Sequence, residues 1–119
     1  MQNRCVVLKS RAIGIPQPAD FALEERTLAP LADGQLLVRN AYLSVEPAMR
    51  GWIADTQNYS APVEIGAVMR SLAAGTVIAS RHPDWHEGDL VTGWFGWQEL
   101  AAVGAAPGIR RITGARLRL

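Results

Sequence analysis

The sequence predicts a mainly β domain, a small barrel or sandwich with one short helix. Two observations carry this. About six short apolar runs, several rich in β-branched residues, are separated by glycine and proline. The one segment with helical spacing, Glu46 to Ile53, is only two turns long. At 119 residues the chain is long enough for one domain with one modest core.

The elements follow in order. Residues 4 to 10 are a short β-branched strand. Gly14, Pro16 and Pro18 make the next stretch a loop. Phe21 to Leu28 alternates in polarity and reads as an edge strand. Asp33-Gly34 supplies a turn, because glycine takes positive φ without steric cost. Gln35 to Ser44 is the strongest strand. It ends at Glu46-Pro47, where proline suits a first helical turn. Met49, Trp52 and Ile53 are then spaced to share one helix face. Asp55 to Pro62 is a polar loop holding Tyr59. Gly75 to Ser80 is a strand, and Arg81 to Gly88 a loop turning at Glu87-Gly88. Asp89 to Trp94 and Gly96 to Val103 read as two strands around a glycine corner. Ile109 to Ile112 is a last strand or a lead-out.

Composition narrows the function. Nearly half the residues are hydrophobic and 19% are charged, which excludes a disordered chain. No apolar run reaches the roughly 18 residues of a membrane helix, so no membrane partner is expected. The start is too short and too charged for a secretory signal, and a cytoplasmic location is the expectation. Cys5 is alone, so it cannot form an internal disulfide and reads as a small buried hydrophobe. Residues 1–99 carry a net charge of −3, whereas residues 100–119 hold four arginines and no acid. No aromatic residue sits among those arginines, so a solvated end is expected rather than a nucleic-acid surface.

Several chemistries lack their residues. There is no three-glycine dinucleotide fingerprint, no phosphate loop and no Gly-x-Ser-x-Gly elbow. His82 and His86 are four apart, but Pro83 and Gly88 oppose the helix that would bring them to one metal, and a polar loop is expected. The four tryptophans, Trp52, Trp85, Trp94 and Trp97, serve packing or ligand stacking. Glu46 and Arg50 are one helical turn apart and form either a structural brace or a charged pocket wall. No nucleophile, catalytic group or metal set is expected.

Three linked motifs carry a family resemblance. Leu43-Ser-Val-Glu-Pro-Ala-Met-Arg-Gly51 resembles the Leu-Ser-Val-Asp-Pro-Tyr-Met-Arg-Gly signature of the zinc-independent medium-chain dehydrogenase/reductases. Gly75-Thr-Val-Ile-Ala-Ser80 and Gly88-Asp-Leu-Val-Thr-Gly-Trp-Phe-Gly-Trp-Gln-Glu-Leu100 are similar to two further stretches of that family. The branch is that of the prostaglandin reductases (leukotriene B4 12-hydroxydehydrogenases) and 2-alkenal reductases.

The resemblance implies a GroES-like, partly open β-barrel over residues 1–111, with residues 112–119 a basic tail or lead-out. The cofactor would be NADPH, held by a Rossmann domain that this chain lacks. The reaction would be reduction of the carbon–carbon double bond of an α,β-unsaturated aldehyde or ketone. Pro47 and Met49 would face the cofactor; Glu46, Ala48, Met49, Arg50 and Tyr59 would line the substrate pocket. Neither Val45-Glu46 nor Ser71-Leu72 offers the Cys or His of the metal-binding relatives. Ala48 replaces the family tyrosine, so the pocket is wider unless Tyr59 or Trp52 fills it. In relatives a C-terminal segment completes this domain, so exposed apolar surface and self-association are expected of the piece. The piece is expected to be inactive by itself. The alternative is a non-enzymatic GroES-like module binding a partner through its open edge and basic tail, or a truncated remnant.

Overall fold

Strand pairing, rather than helix, satisfies most of the backbone among the described residues. A computed structural model describes residues 2–11, 14–45, 49, 53, 63–104 and 109–112. Its strands are β1 (Gln2–Leu8), β2 (Phe21–Thr27), β3 (Gln35–Leu43), β4 (Ala73–Ser80), β5 (Leu90–Gly93), β6 (Leu100–Gly104) and β7 (Arg110–Arg111). One 3₁₀ turn, Pro18–Asp20, precedes β2. The mainly β expectation holds. No helix of the described residues is long and apolar enough to cross a membrane.

All pairings are antiparallel. β1 and β2 form a ribbon, and the other five strands form a sheet in the order β6-β3-β4-β5-β7. The two sheets remain separate but touch through β1. Cys5 bridges to Gln98 and Val7 to Val68. The Val6 N–H donates to the Trp97 carbonyl at 2.8 Å, and the Met69 N–H to the Val6 carbonyl at 2.9 Å. β1 is therefore paired on both edges, and the molecule is a partly open barrel.

Burial follows this pairing. Leu36 and Val38 of β3, Ala73 and Val77 of β4, Val91, Phe95 and Ala101 form one core cluster. Leu8, Met49, Ile53, Val63 and Met69 form a second, under the ribbon. β2 is the edge strand its alternation suggested, pairing only with β1 among the described residues and largely exposed.

Two differences from the sequence reading have clear causes. The first strand runs over 2–8 rather than 4–10, because Lys9 and Ser10 turn to donate their N–H groups to the Asp20 carbonyl. The expected strand from Gly96 to Val103 is divided between two partners. Residues 97–99 bond mainly to β1, and the regular ladder with β3 starts at Leu100. Gly96, at φ +78°, supplies the bend, and a Cβ there would sit 3.1 Å from both the Met69 carbonyl and the Val68 side chain. Gly75 answers a different need. It faces a bulge in β3, and any Cβ would run into the Arg39 carbonyl.

Candidate functional site

β3 carries the chain into the Leu43–Gly51 motif, so the end of the sheet where β3 stops is the place to look. Of the motif, Leu43, Ser44, Val45 and Met49 are described. Glu46, Pro47, Ala48 and Arg50 lie outside the described residues, as do Tyr59 and Trp52. Met49 is in helical conformation, and the Ile53 N–H donates to its carbonyl at 3.2 Å, one α-turn of the expected helix. The Met49 side chain is only 5% exposed and packs with Leu8, Ile53, Val63 and Met69. It anchors the motif to the core.

The strand end is fixed by backbone and indole. The Ser44 N–H donates to the Leu72 carbonyl at 2.9 Å. The Trp97 Nε1–H donates to the Ser44 carbonyl at 3.1 Å, while its ring packs on Phe21 with centroids 5.7 Å apart. Trp97 thus ties ribbon and sheet together at the motif's first residues. The Ser44 and Ser71 hydroxyls are shielded from solvent and have no hydrogen-bond partner among the described residues. Such groups cost free energy unless something bonds them, which makes this strand end chemically notable.

A cleft of about 290 Å³ opens where residues 97–99 pass from β3 to β1. Its walls are apolar at Val6, Leu23, Ala41, Leu43 and Trp97. An amide network unforeseen in the sequence builds its floor. The Asn40 Nδ2 donates to the Gln98 carbonyl at 2.9 Å and to the Gly96 carbonyl at 3.3 Å. Asn3, 3% exposed, donates through Nδ2 to Gln98 Oε1 and accepts from the Leu100 N–H, both at 2.9 Å. At the rim the Arg4 guanidinium donates to both oxygens of Glu99, at 2.7 and 3.1 Å. That bond holds the Glu99 carboxyl below the usual carboxylate range and raises Arg4. Cys5 also lines the cleft but is 1% exposed; burial pushes its thiol up, away from the reactive thiolate.

The other candidates have structural partners. His82 Nδ1 accepts from the Asp84 N–H at 3.1 Å, and Asp89 accepts from the His86 N–H at 2.9 Å. That second bond, helped by Arg111, lowers the Asp89 carboxyl. Among the described residues no three His, Cys, Asp or Glu side chains are placed to share a metal. Of the C-terminal arginines, Arg110 is exposed and Arg111 is engaged. Arg111 lies 4.5 Å over the Trp85 ring, donates to the Asp84 carbonyl at 2.7 Å and pairs with Asp89 at 3.3 Å. The sequence signal for this was the acid-rich 84–89 loop with its tryptophan, which needs a cation from elsewhere.

Comparison with known proteins agrees with the motifs. Residues 4–112 match the family model for the N-terminal domain of oxidoreductase. The NADPH-dependent curcumin reductase of Escherichia coli (strain K12) is 47% identical over 98 residues, covering 82% of this chain and 28% of the relative. The NADP⁺-dependent 2-alkenal reductase of Nicotiana tabacum is 28% identical over 107 residues, covering 87% of this chain and 31% of the relative. The crystal structure of CurA from Vibrio vulnificus in complex with NADPH superposes with a TM-score of 0.87 at 34% identity, covering 95% of this chain and 33% of that one. The chain therefore spans less than a third of the curated relatives cited. Fold, motifs and comparisons converge: the chain belongs to the oxidoreductase N-terminal-domain family of the medium-chain dehydrogenase/reductases, in the branch of the NADPH-dependent curcumin and 2-alkenal reductases.

Proposed function

We propose that this chain is the substrate-side portion of a cytoplasmic NADPH-dependent reductase acting on the carbon–carbon double bond of α,β-unsaturated aldehydes and ketones. The observation that carries the reading is the Leu43–Gly51 motif at a strand end fixed by Leu72 and Trp97, in a chain 47% identical to a curcumin reductase. On this proposal residues 1–111 are the domain, and residues 112–119 a basic tail or the start of a lead-out.

The described residues do not fit NADPH by themselves. None of them forms a glycine-rich turn opening a helix, the usual cradle for a pyrophosphate. On this proposal the chain supplies one wall of the site, and the isolated piece is expected to be inactive. When bound, the cofactor supplies the hydride.

The chain's own residues orient and shield. Pro47 and Met49 set the cofactor-facing side of the motif, and the buried Met49 side chain fixes where its neighbours stand. Glu46, Ala48, Arg50 and Tyr59 line the substrate side, and no metal takes part. The work of this wall is to exclude water and to hold the carbonyl where negative charge develops on oxygen.

The test is a graft. Residues 4–112 replace the matching segment of the Escherichia coli curcumin reductase. The expected result is NADPH oxidation that depends on added enone, with none from the 119-residue chain alone. A folded chimera that binds NADPH and reduces no conjugated carbonyl overturns the reading.

A further inference from the structure

One side chain reaches both ends of the motif. β3 ends at Leu43, and the sheet bonding runs one residue further, from the Ser44 N–H to the Leu72 carbonyl at 2.9 Å. The Ser44 carbonyl lies past that ladder and takes the Trp97 Nε1–H at 3.1 Å. Pro47 follows three residues on and has no N–H with which to extend a ladder. At the other end of the motif Met49 is buried with Leu8, Ile53, Val63 and Met69, and the Trp97 ring packs against that cluster. Only Val45 to Ala48 separate the two anchors.

The indole is itself held from several sides. The Trp97 N–H donates to the Met69 carbonyl at 2.9 Å, and its carbonyl accepts from the Val6 N–H at 2.8 Å. Gly96 turns the chain at φ +78° just before it, where a Cβ would crowd the Met69 carbonyl. Phe21 of the ribbon lies against the ring, centroids 5.7 Å apart. An indole N–H is a donor only, so with backbone and ring fixed it has one direction in which to bond. The ring's other contacts belong to the ribbon and the second core cluster, so the indole fixes the Ser44 carbonyl rather than the reverse. The Val45 N–H shares a peptide plane with that carbonyl, and its orientation is fixed with it.

We propose that Trp97 is a positioning residue for hydride transfer. Through the Ser44 carbonyl and the cluster that holds Met49, it sets where Val45 to Ala48 stand toward cofactor and substrate. This deepens the enone-reductase reading and rests on it. The indole acts through the motif and not on the reactants. Its effect is on alignment, to which the rate is sensitive, since a misplacement of about 1 Å costs roughly a hundredfold.

The experiment separates the N–H from the ring. In the graft, Trp97 is replaced by 3-benzothienylalanine, which keeps the shape of the indole with sulfur in place of the N–H. Trp97→Phe removes both. Val77→Ala, which opens a cavity in the other core cluster, controls for lost stability alone. With pent-3-en-2-one as substrate, the benzothienyl variant should lose about tenfold in kcat and keep KM and NADPH affinity within about threefold of the parent. Trp97→Phe should lose more. Val77→Ala should melt lower but, assayed well below its melting temperature, keep kcat within about twofold. A benzothienyl variant with the parent kcat overturns the proposal, as does a kcat loss in Val77→Ala equal to that of the Trp97 variants. A graft inactive with Trp97 in place removes the reductase reading, and the brace is then decided on the 119-residue chain. There the benzothienyl substitution should move the NMR amide signals of Val45, Glu46 and Met49 and leave those of β5 in place. Unmoved motif signals overturn the brace.

Discussion

β1 and β2 lie side by side in one ribbon, and their side chains have opposite fates. β1 buries Asn3, Cys5, Val7 and Leu8, whereas β2 buries none of its seven residues. Propensity does not explain this, since both are seven-residue strands in full register with each other. The cause is the number of partners. β1 has β2 on one edge and residues 66–69 and 97–99 on the other. β2 has only β1 among the described residues. A strand with two neighbours is drawn over a core; a strand with one hangs at its edge. Leu23 shows the result, 69% exposed despite being apolar.

The sharpest way to break the contrast is to empty one side of it. Leu8→Ala removes a fully buried side chain from the second core cluster and should cost about 2–5 kcal/mol in denaturant unfolding. Asn3→Ala comes next. It strands the Leu100 N–H and the Gln98 side-chain oxygen, and about 1–3 kcal/mol of lost stability is expected by thermal melting.

A pH titration reads the rim of the same junction. The folded Glu99 carboxyl lies below its ordinary value of 4.5, so its contribution is complete above that pH. It is lost as pH falls through the lower folded value. Glu99→Gln should therefore flatten part of the acid loss of stability from about pH 4.5 downward, a small effect because the pair is exposed. Asp89, also held low, contributes with the same sign. The least change is expected on the other strand. Leu23→Ala should stay within about 0.5 kcal/mol of the parent. A larger loss would mean that β2 is covered in solution.

Much of this architecture was legible in the residues. The Asp33-Gly34 turn, the edge character of Phe21 to Leu28 and the burial of Cys5 followed from local chemistry. Local patterning could not show that residues 97–99 leave β3 for β1, because both choices use the same extended backbone. The amides of Asn3, Asn40 and Gln98 read as ordinary polar positions until that exchange brings them together. Arg111 was hidden in the same way, its partners lying 22 to 27 residues earlier. The motif itself was legible only through family likeness. Its spacing gave a strand broken by proline, and the structure adds that Met49 roots it in the core.

The double pairing of β1 also sets an order of folding. Its second edge is completed by residues more than 90 positions later in the chain, as in the bridge from Cys5 to Gln98. Closing so long a loop costs entropy before any contact repays it, so this step belongs late in folding and slows it. During synthesis β1 is made long before the segment that encloses its second edge. Until Gln98 arrives, the Cys5 thiol stands open to oxidants from which the finished fold shields it.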